Sequence, residues 1–217
     1  MHMANKISGI NNSLYICKDN KLYDYSPVDG LNININGNDN VVIIHMPTKF
    51  VDVNIVMGGN GNRCEILPTE HRYIRHTTLG MENGGTIRIG RRISVYKNLH
   101  VVAKAGCSVD IGDECMMASD IIIRNDDGHV ITDRKTGKII NPPEDIIIEN
   151  NVWVANRAMI LKGARVPAGS VVGAMSLVTN KFEEENIIIG GVPASKIRGD
   201  ICWNRKDYYE YCKQKDI

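Results

Sequence analysis

The chain is poor in several things that would each point to a class. Only 6% of its 217 residues are aromatic, and its 26 basic and 25 acidic residues leave a formal net charge of +1. Bulk electrostatics therefore name neither a nucleic acid nor a membrane surface as partner. The six cysteines, Cys17, Cys64, Cys107, Cys115, Cys202 and Cys212, form no CxxC and no Cys/His cluster, which argues against a zinc site and against a disulfide framework. No apolar run approaches the roughly 18 residues of a membrane-spanning helix. The N-terminus, Met1 to Asn5, has neither the basic nor the apolar region of a signal peptide. The expectation is a chain with reduced cysteines that stays in the cytoplasm and inserts in no membrane.

What is plentiful is Ile, Val, Gly and Asn, a balance that suits short strands and tight turns. From Ile148 an aliphatic residue returns at every sixth position: Ile148, Val154, Ile160, Val166, Val172, Val178. A small or aliphatic residue follows each of the first five at the fourth position, namely Val152, Ala158, Ala164, Ser170 and Ser176. A 3.6-residue helical period cannot generate this, and Gly163, Pro167, Gly169 and Gly173 would break a long helix. Hexad periodicity marks a β-solenoid in which three short strands make a coil of about 18 residues. Upstream the rhythm slips. Ile89, Val95, Val101 and Cys107 keep one phase and Ile111, Met117 and Ile123 another, which predicts a shortened turn near Ser108 to Asp110. Earlier still, Gly37-Asn38-Asp39-Asn40 and Gly59-Asn60-Gly61-Asn62 repeat at a spacing of 22. The solenoid is expected over 31–199, after an N-terminal segment 1–30 that is either irregular or a short helix. Residues 125–145 have turn chemistry and no period, and read as a loop thrown out from the coils. Residues 200–217 are expected to form a helical cap over the open end, with Trp203, Tyr208, Tyr209 and Tyr211 packing.

Ile111-Gly112-Asp113-Glu114-Cys115, the loop ending at His129, Val152-Trp153 within Ile148 to Leu161, Val172-Gly173-Ala174, and Gly190 to Ile197 together resemble the hexapeptide-repeat acyltransferases. The likeness covers about 85–200. Arg124 to His129, Val152-Trp153 and Trp203-Asn204-Arg205-Lys206-Asp207-Tyr208 are most similar to the bacterial capsule O-acetyltransferases that modify sialic acid polymers. The resemblance implies an all-β chain: a left-handed parallel β-helix with an extruded loop and a short C-terminal helix. It also implies acetyl-CoA as cosubstrate, and a homotrimer with active sites between chains.

Acetyl transfer from a thioester to an alcohol needs a base, and imidazole titrates near working pH. Of six histidines, only His129 stands in the aperiodic loop, beside Asp126, Asp127 and Gly128. It falls on the family's catalytic position, and either neighbouring acid could orient it or merely face water. Trp153, 24 residues later as in the family, is at an outward hexad position and is expected to line the slot for the pantetheine arm and acceptor. Packing at a subunit interface is the alternative. By position, coenzyme A contacts fall on Asn156, Ala174, Thr179, Asn180, Ser195 and Arg198, with Lys181 next to Asn180 where many members carry lysine. Glu149 and Ala155 stand where hexad glycines are usual. Asn98 matches a position that contacts the acceptor. Seven basic residues between His71 and Lys104 (Arg72, Arg75, Arg88, Arg91, Arg92, Lys97, Lys104) against Glu82 alone are expected to form a cationic patch for an acidic glycan. No cysteine is placed to act as nucleophile, so attack is expected to be direct, and no residue spacing suggests a metal. The expected function is an acetyl-CoA-dependent O-acetyltransferase for a carbohydrate, sialic acid of a capsule polysaccharide foremost. The alternatives are a neutral or amino sugar as acceptor, or a non-catalytic trimeric glycan-binding scaffold.

Overall fold

In the computed structural model, residues 5–215 are described. They form a left-handed parallel β-helix of about seven turns, with one helix, α1 (Tyr208–Lys215), near the C-terminus. The coil is a three-faced prism. Lys49–Gly58, Tyr73–Glu82, Ser94–Lys104 and Met116–Arg124 each bend once and so cover the first and second faces. The bends are at Asp52, His76, Asn98 and Asp120, whose φ values of 54, 45, 52 and 60° lie in the left-handed region. Such a turn is costly for a residue with a Cβ, and Asn and Asp tolerate it best. The third face carries Val41–His45, Arg63–Ile66, Thr86–Ile89, Ser108–Ile111, Ile146–Ile148 and Arg165–Val166.

Alternation along each strand sends one aliphatic column inward. Val95, Leu99, Val101, Val109, Ile111, Val154, Ile160, Val166, Val172 and Val178 are all buried in one continuous core. Each such side chain contributes about 1.5–3 kcal/mol relative to an exposed one, so the hexad rhythm is the rhythm of the core.

Coil length changes along the prism. Val154 pairs with Val172 and Ile148 with Val166, the 18-residue coil that the sequence implies. Above the loop, Leu99 pairs with Thr77 and with Ile121, each 22 residues away. The extra residues sit at the corner between the second and third faces, between buried Val101 and Val109, whereas Ile160 and Ala164 flank the same corner below. This corrects the turn expected near Ser108 to Asp110. Ser108–Ile111 is a strand, and the change of phase recurs because the upper coils are longer. The same corner holds a buried asparagine ladder. Asn62 Nδ2 donates to Asn40 Oδ1 (2.8 Å) and Gly58 O (3.0 Å), and its Oδ1 accepts from Gly85 N (3.0 Å). The aperiodic loop leaves from this corner too, stretching the distance between paired Val109 and Ile146 to 37 residues.

Two further expectations change. The N-terminal segment is neither irregular nor helical. Lys6–Ser8 pairs in parallel with residues 34–36, and Ser13–Lys18 pairs with residues 41–45, so strands of the solenoid precede Leu31. Residues 1–4 of that segment lie outside the described residues. The C-terminal tail also does not stop at the open end. Ile201 N donates to Asn186 O (3.0 Å), Trp203 Nε1 to Asn151 O (2.8 Å), and Arg205 to Ser94 Oγ (2.7 Å) and Cys115 O (2.9 Å). Asn186, Asn151 and Glu114 are left-handed residues on the corner between the third and first faces, so the tail climbs that corner. Tyr208 and Tyr209 are exposed rather than packed.

Candidate active site

The loop begins on a fixed foot. Asn125 is fully buried, and its side chain accepts from Lys104 N (2.9 Å) and donates to Lys104 O (3.1 Å) in the coil above. Arg124 donates to Asp126 O (2.9 Å) and Asp126 Oδ1 (3.0 Å), while Asp126 Oδ2 accepts from Gly128 N (3.0 Å). Gly128 takes φ 81°, the left-handed turn that delivers His129. Asp127 Oδ2 accepts from Lys162 Nζ (2.5 Å) and Asn141 Nδ2 (2.9 Å), and these bonds, that of Lys162 foremost, hold its carboxyl below the usual range. His129 is exposed, its carbonyl accepts from Asn141 Nδ2 (2.8 Å), and its ring makes no hydrogen bond among the described residues. Neither Asp126 nor Asp127 therefore orients the imidazole. Both carboxylates are engaged with the loop and the coil.

Trp153 is half-buried on the first face, in register below Met116 and above Val171. Its indole meets Trp203 of the tail, with ring centroids 6.1 Å apart and planes at 44°. Arg205 lies over the Trp203 ring at 5.6 Å and ties the tail to the coil backbone. His129 follows the second face and Trp153 is on the first, so the two are carried by different sides of one prism. Sequence reasoning assigned Trp203 only to packing and gave no role to Asn125, Asn141 or Lys162. No local signal marks their bonds, since the partners stand 10 to 52 residues away along the chain.

Apart from Trp153, the residues expected at coenzyme A divide among three places on the lower coils. Asn156 and Ala174 stack at the corner between first and second faces, where Met175 N donates to Asn156 O (2.9 Å) and Asn156 Oδ1 accepts from Ser119 N (3.0 Å). Ser195 and Arg198 lie on Ala194–Arg198, which turns back antiparallel onto Ile188–Gly191. Thr179, Asn180 and Lys181 sit at the end of the second face, after Leu177–Val178. All seven are exposed. Glu149, in place of a usual glycine, is compensated: its carboxylate accepts from Arg165 (2.8 and 2.6 Å) and from Ala168 N (3.0 Å).

The expected cationic patch is not formed as one surface. Arg72 binds Glu114 (2.6 Å), Arg92 binds Glu114 and approaches Glu70 (3.9 Å), and Lys104 reaches Glu82 (3.1 Å) and Asp126 (3.8 Å). Arg75 lies over the Tyr73 ring (4.4 Å), and Arg88 is in register between Glu65 and Asp110 on the third face. Burial pushes the Glu114 carboxyl up, but Arg72 and Arg92 more than offset it and hold it low. A run along the chain is thus spread over corners and faces of a prism, and Arg72, Arg92 and Lys104 meet acids there. Asn98 donates to Asp120 Oδ1 (2.8 Å), so its amide serves the corner stack. Among the thiols, burial pushes Cys64 and Cys115 up to about 12, which removes both as nucleophiles.

No family-wide sequence model matches the chain. A polysialic acid O-acetyltransferase of Neisseria meningitidis is 30% identical over 208 residues, spanning 96% of this chain and 92% of that protein. One of Escherichia coli O1:K1 / APEC is 37% identical over 127 residues, 58% of this chain, and the match spans 41% of that longer protein. The crystal structure of the polysialic acid specific acetyltransferase NeuO superposes with a TM-score of 0.83 at 30% identity, over 98% of this chain and 89% of the other. A left-handed coil, a loop histidine at the prism's corner and likeness along nearly the whole length agree: the chain belongs to the hexapeptide-repeat acyltransferases, in the family of the polysialic acid O-acetyltransferases.

Proposed function

We propose that the chain transfers the acetyl group of acetyl-CoA to a hydroxyl of a sialic acid unit in a capsule polysaccharide. His129 takes the proton from the acceptor hydroxyl as its oxygen attacks the thioester carbonyl. The tetrahedral oxyanion, met by backbone N–H groups, collapses with loss of the C–S bond, and the imidazolium returns the proton to the departing thiolate. The observation that carries this is the state of His129: its backbone is tied down on both sides while its ring is left with no partner of its own. A ring so held is free to bond an incoming hydroxyl. Coenzyme A lies against the lower coils, with Trp153, Asn156, Ala174, Thr179, Asn180, Lys181, Ser195 and Arg198 as its contacts.

Because His129 and Trp153 stand on different sides of one prism, each site is completed between chains, and the working form is a cytoplasmic homotrimer in which His129 of one chain faces Trp153 of the next. Asn98 meets the acceptor from the corner between the first and second faces. A second reading is favoured by one feature. With Arg72, Arg92 and Lys104 already paired to carboxylates, a neutral sugar would lose little binding relative to an anionic one.

The deciding experiment is mass-spectrometric detection of acetyl incorporation over sialic acid, oligosialic acid, polysialic acid and neutral sugars, with wild type and His129→Ala. Incorporation into the sialic acid series that falls about 10²–10⁴-fold in the variant is expected. Equal rates for the two proteins would refute the role of His129, and exclusive labelling of neutral sugars would refute the acceptor.

A further inference from the structure

The loop that carries His129 cannot be held by hydrophobic burial. Val130, Ile131, Ile139 and Ile140 are 68, 52, 58 and 60% exposed. Its shape instead depends on a short set of polar bonds that converge on one place. Asn141 Nδ2 is shared between His129 O (2.8 Å) and Asp127 Oδ2 (2.9 Å), and Asn141 Oδ1 accepts from Ile131 N (2.6 Å). One amide thus grips alternate residues on both sides of the histidine. Asp127 passes that grip to Lys162 Nζ (2.5 Å), which belongs to the coil below and not to the loop. The returning end of the loop rests on the next residue: Gly163 N donates to Asp145 O (3.2 Å), and a Cβ at Gly163 would come within 2.9 Å of the Glu144 carboxylate. Lys162-Gly163 thus meets both the outgoing arm of the loop, at Asp127, and its returning arm, at Asp145.

We propose that Lys162 and Asn141 are positioning residues that fix the His129 imidazole relative to the coils, acting through Asp127 and the His129 carbonyl. Since the ring has no hydrogen-bond partner among the described residues, its direction is inherited from this backbone. A general base must reach within about 2.6–3.2 Å of the proton that it removes. Displacement by about 1 Å can cost about 10²-fold. Lys162 is well placed to resist such displacement, because it directly follows the paired strand Met159–Leu161 and its side chain is only 19% exposed. The role rests on His129 being the base, and the test separates the two.

Steady-state transfer is measured for wild type, Lys162→Met, Lys162→Arg, Asn141→Ala, His129→Ala and the double variant His129→Ala/Lys162→Met, with the melting midpoint of each. Lys162→Met and Asn141→Ala are expected to lower kcat about 10- to 100-fold while KM for acetyl-CoA moves less than about twofold. Lys162→Arg keeps the charge and is expected to recover kcat to within about threefold. In the His129→Ala background Lys162→Met should have no further effect, because there is no base left to misplace. Wild-type kcat in Lys162→Met and Asn141→Ala, together with loss of activity in His129→Ala, would overturn the positioning role and leave the base intact. So would a loss in Lys162→Met that arginine does not restore, or one that is multiplied in the His129→Ala background. Full activity of His129→Ala would instead overturn the functional reading beneath it.

Discussion

Replacing Asn125 by alanine probes the joint between scaffold and site. In the native chain this buried amide satisfies both Lys104 N (2.9 Å) and Lys104 O (3.1 Å), and its own backbone N donates to Val102 O (3.2 Å). Alanine keeps the backbone bond and orphans the two groups of Lys104. A buried polar group without its partner costs about 1–3 kcal/mol. Lys104 is partly exposed, so water relieves some of this, and the pair is expected to cost about 2–3 kcal/mol. For a chain of this size each kcal/mol shifts the midpoint by about 2–4 °C, which gives a fall of about 5–10 °C. The loop starts at the next residue, so kcat should fall as well, by about tenfold, at temperatures where the variant is still folded. Asn125→Asp retains an acceptor for Lys104 N and loses the donor, and should lie between alanine and wild type. Scanning fluorimetry and thiol release from acetyl-CoA read the two effects. A midpoint for Asn125→Ala within about 1 °C of wild type would refute the account of the corner as a place where side-chain amides replace missing strand hydrogen bonds.

Trp203→Ala removes the ring against Trp153. If Trp153 lines the pantetheine slot, KM for acetyl-CoA should rise about 3- to 10-fold with a smaller change in kcat, and an unchanged KM would count against that slot. Alkylation of the native protein at pH 8 should label exposed Cys202 and spare Cys64 and Cys115, whose thiols burial holds near 12. Peptide mapping that finds Cys115 modified would contradict the packing of its coil. Asp127 has a folded pKa below its ordinary value, so its contribution is complete above the ordinary carboxylate range and is lost as pH falls through the lower folded value. The difference in activity between wild type and Asp127→Asn should thus be constant from about pH 5 to 8 and shrink only below about pH 4. A difference that varies across neutral pH would mean that the Lys162 pair is not formed in the working enzyme. Sedimentation should give a trimer at micromolar concentration, and a monomer would leave His129 without a facing Trp153.

Much of the fold could be read directly. The hexads from Ile148 to Val178 name the inward column of the lower coils residue by residue, and the same rhythm places Trp153 on the outside. The rhythm fades upstream for a physical reason. A coil of 22 residues, or of 28 where Ser13–Lys18 meets residues 41–45, keeps the core columns but spaces them unequally along the chain. Strands at 6–24 were therefore invisible to a search for sixes. The basic run from Arg72 to Lys104 misled for a related reason, since proximity along the chain is not proximity around a prism.

The architecture and the candidate base were both legible in the pattern of residues along the chain. A repeated inward aliphatic can be satisfied only by stacking rungs, and His129 stands in 125–145, the stretch inside the solenoid that the repeat skips. What holds that histidine emerges once the coils have closed. Lys162 lies 35 residues from Asp127, Trp203 lies 52 from Asn151, and Arg205 lies 111 from Ser94. These partners meet because coil closure and the returning tail stack distant residues side by side, and charge pairs and ring contacts depend on distance in space, which no local pattern encodes.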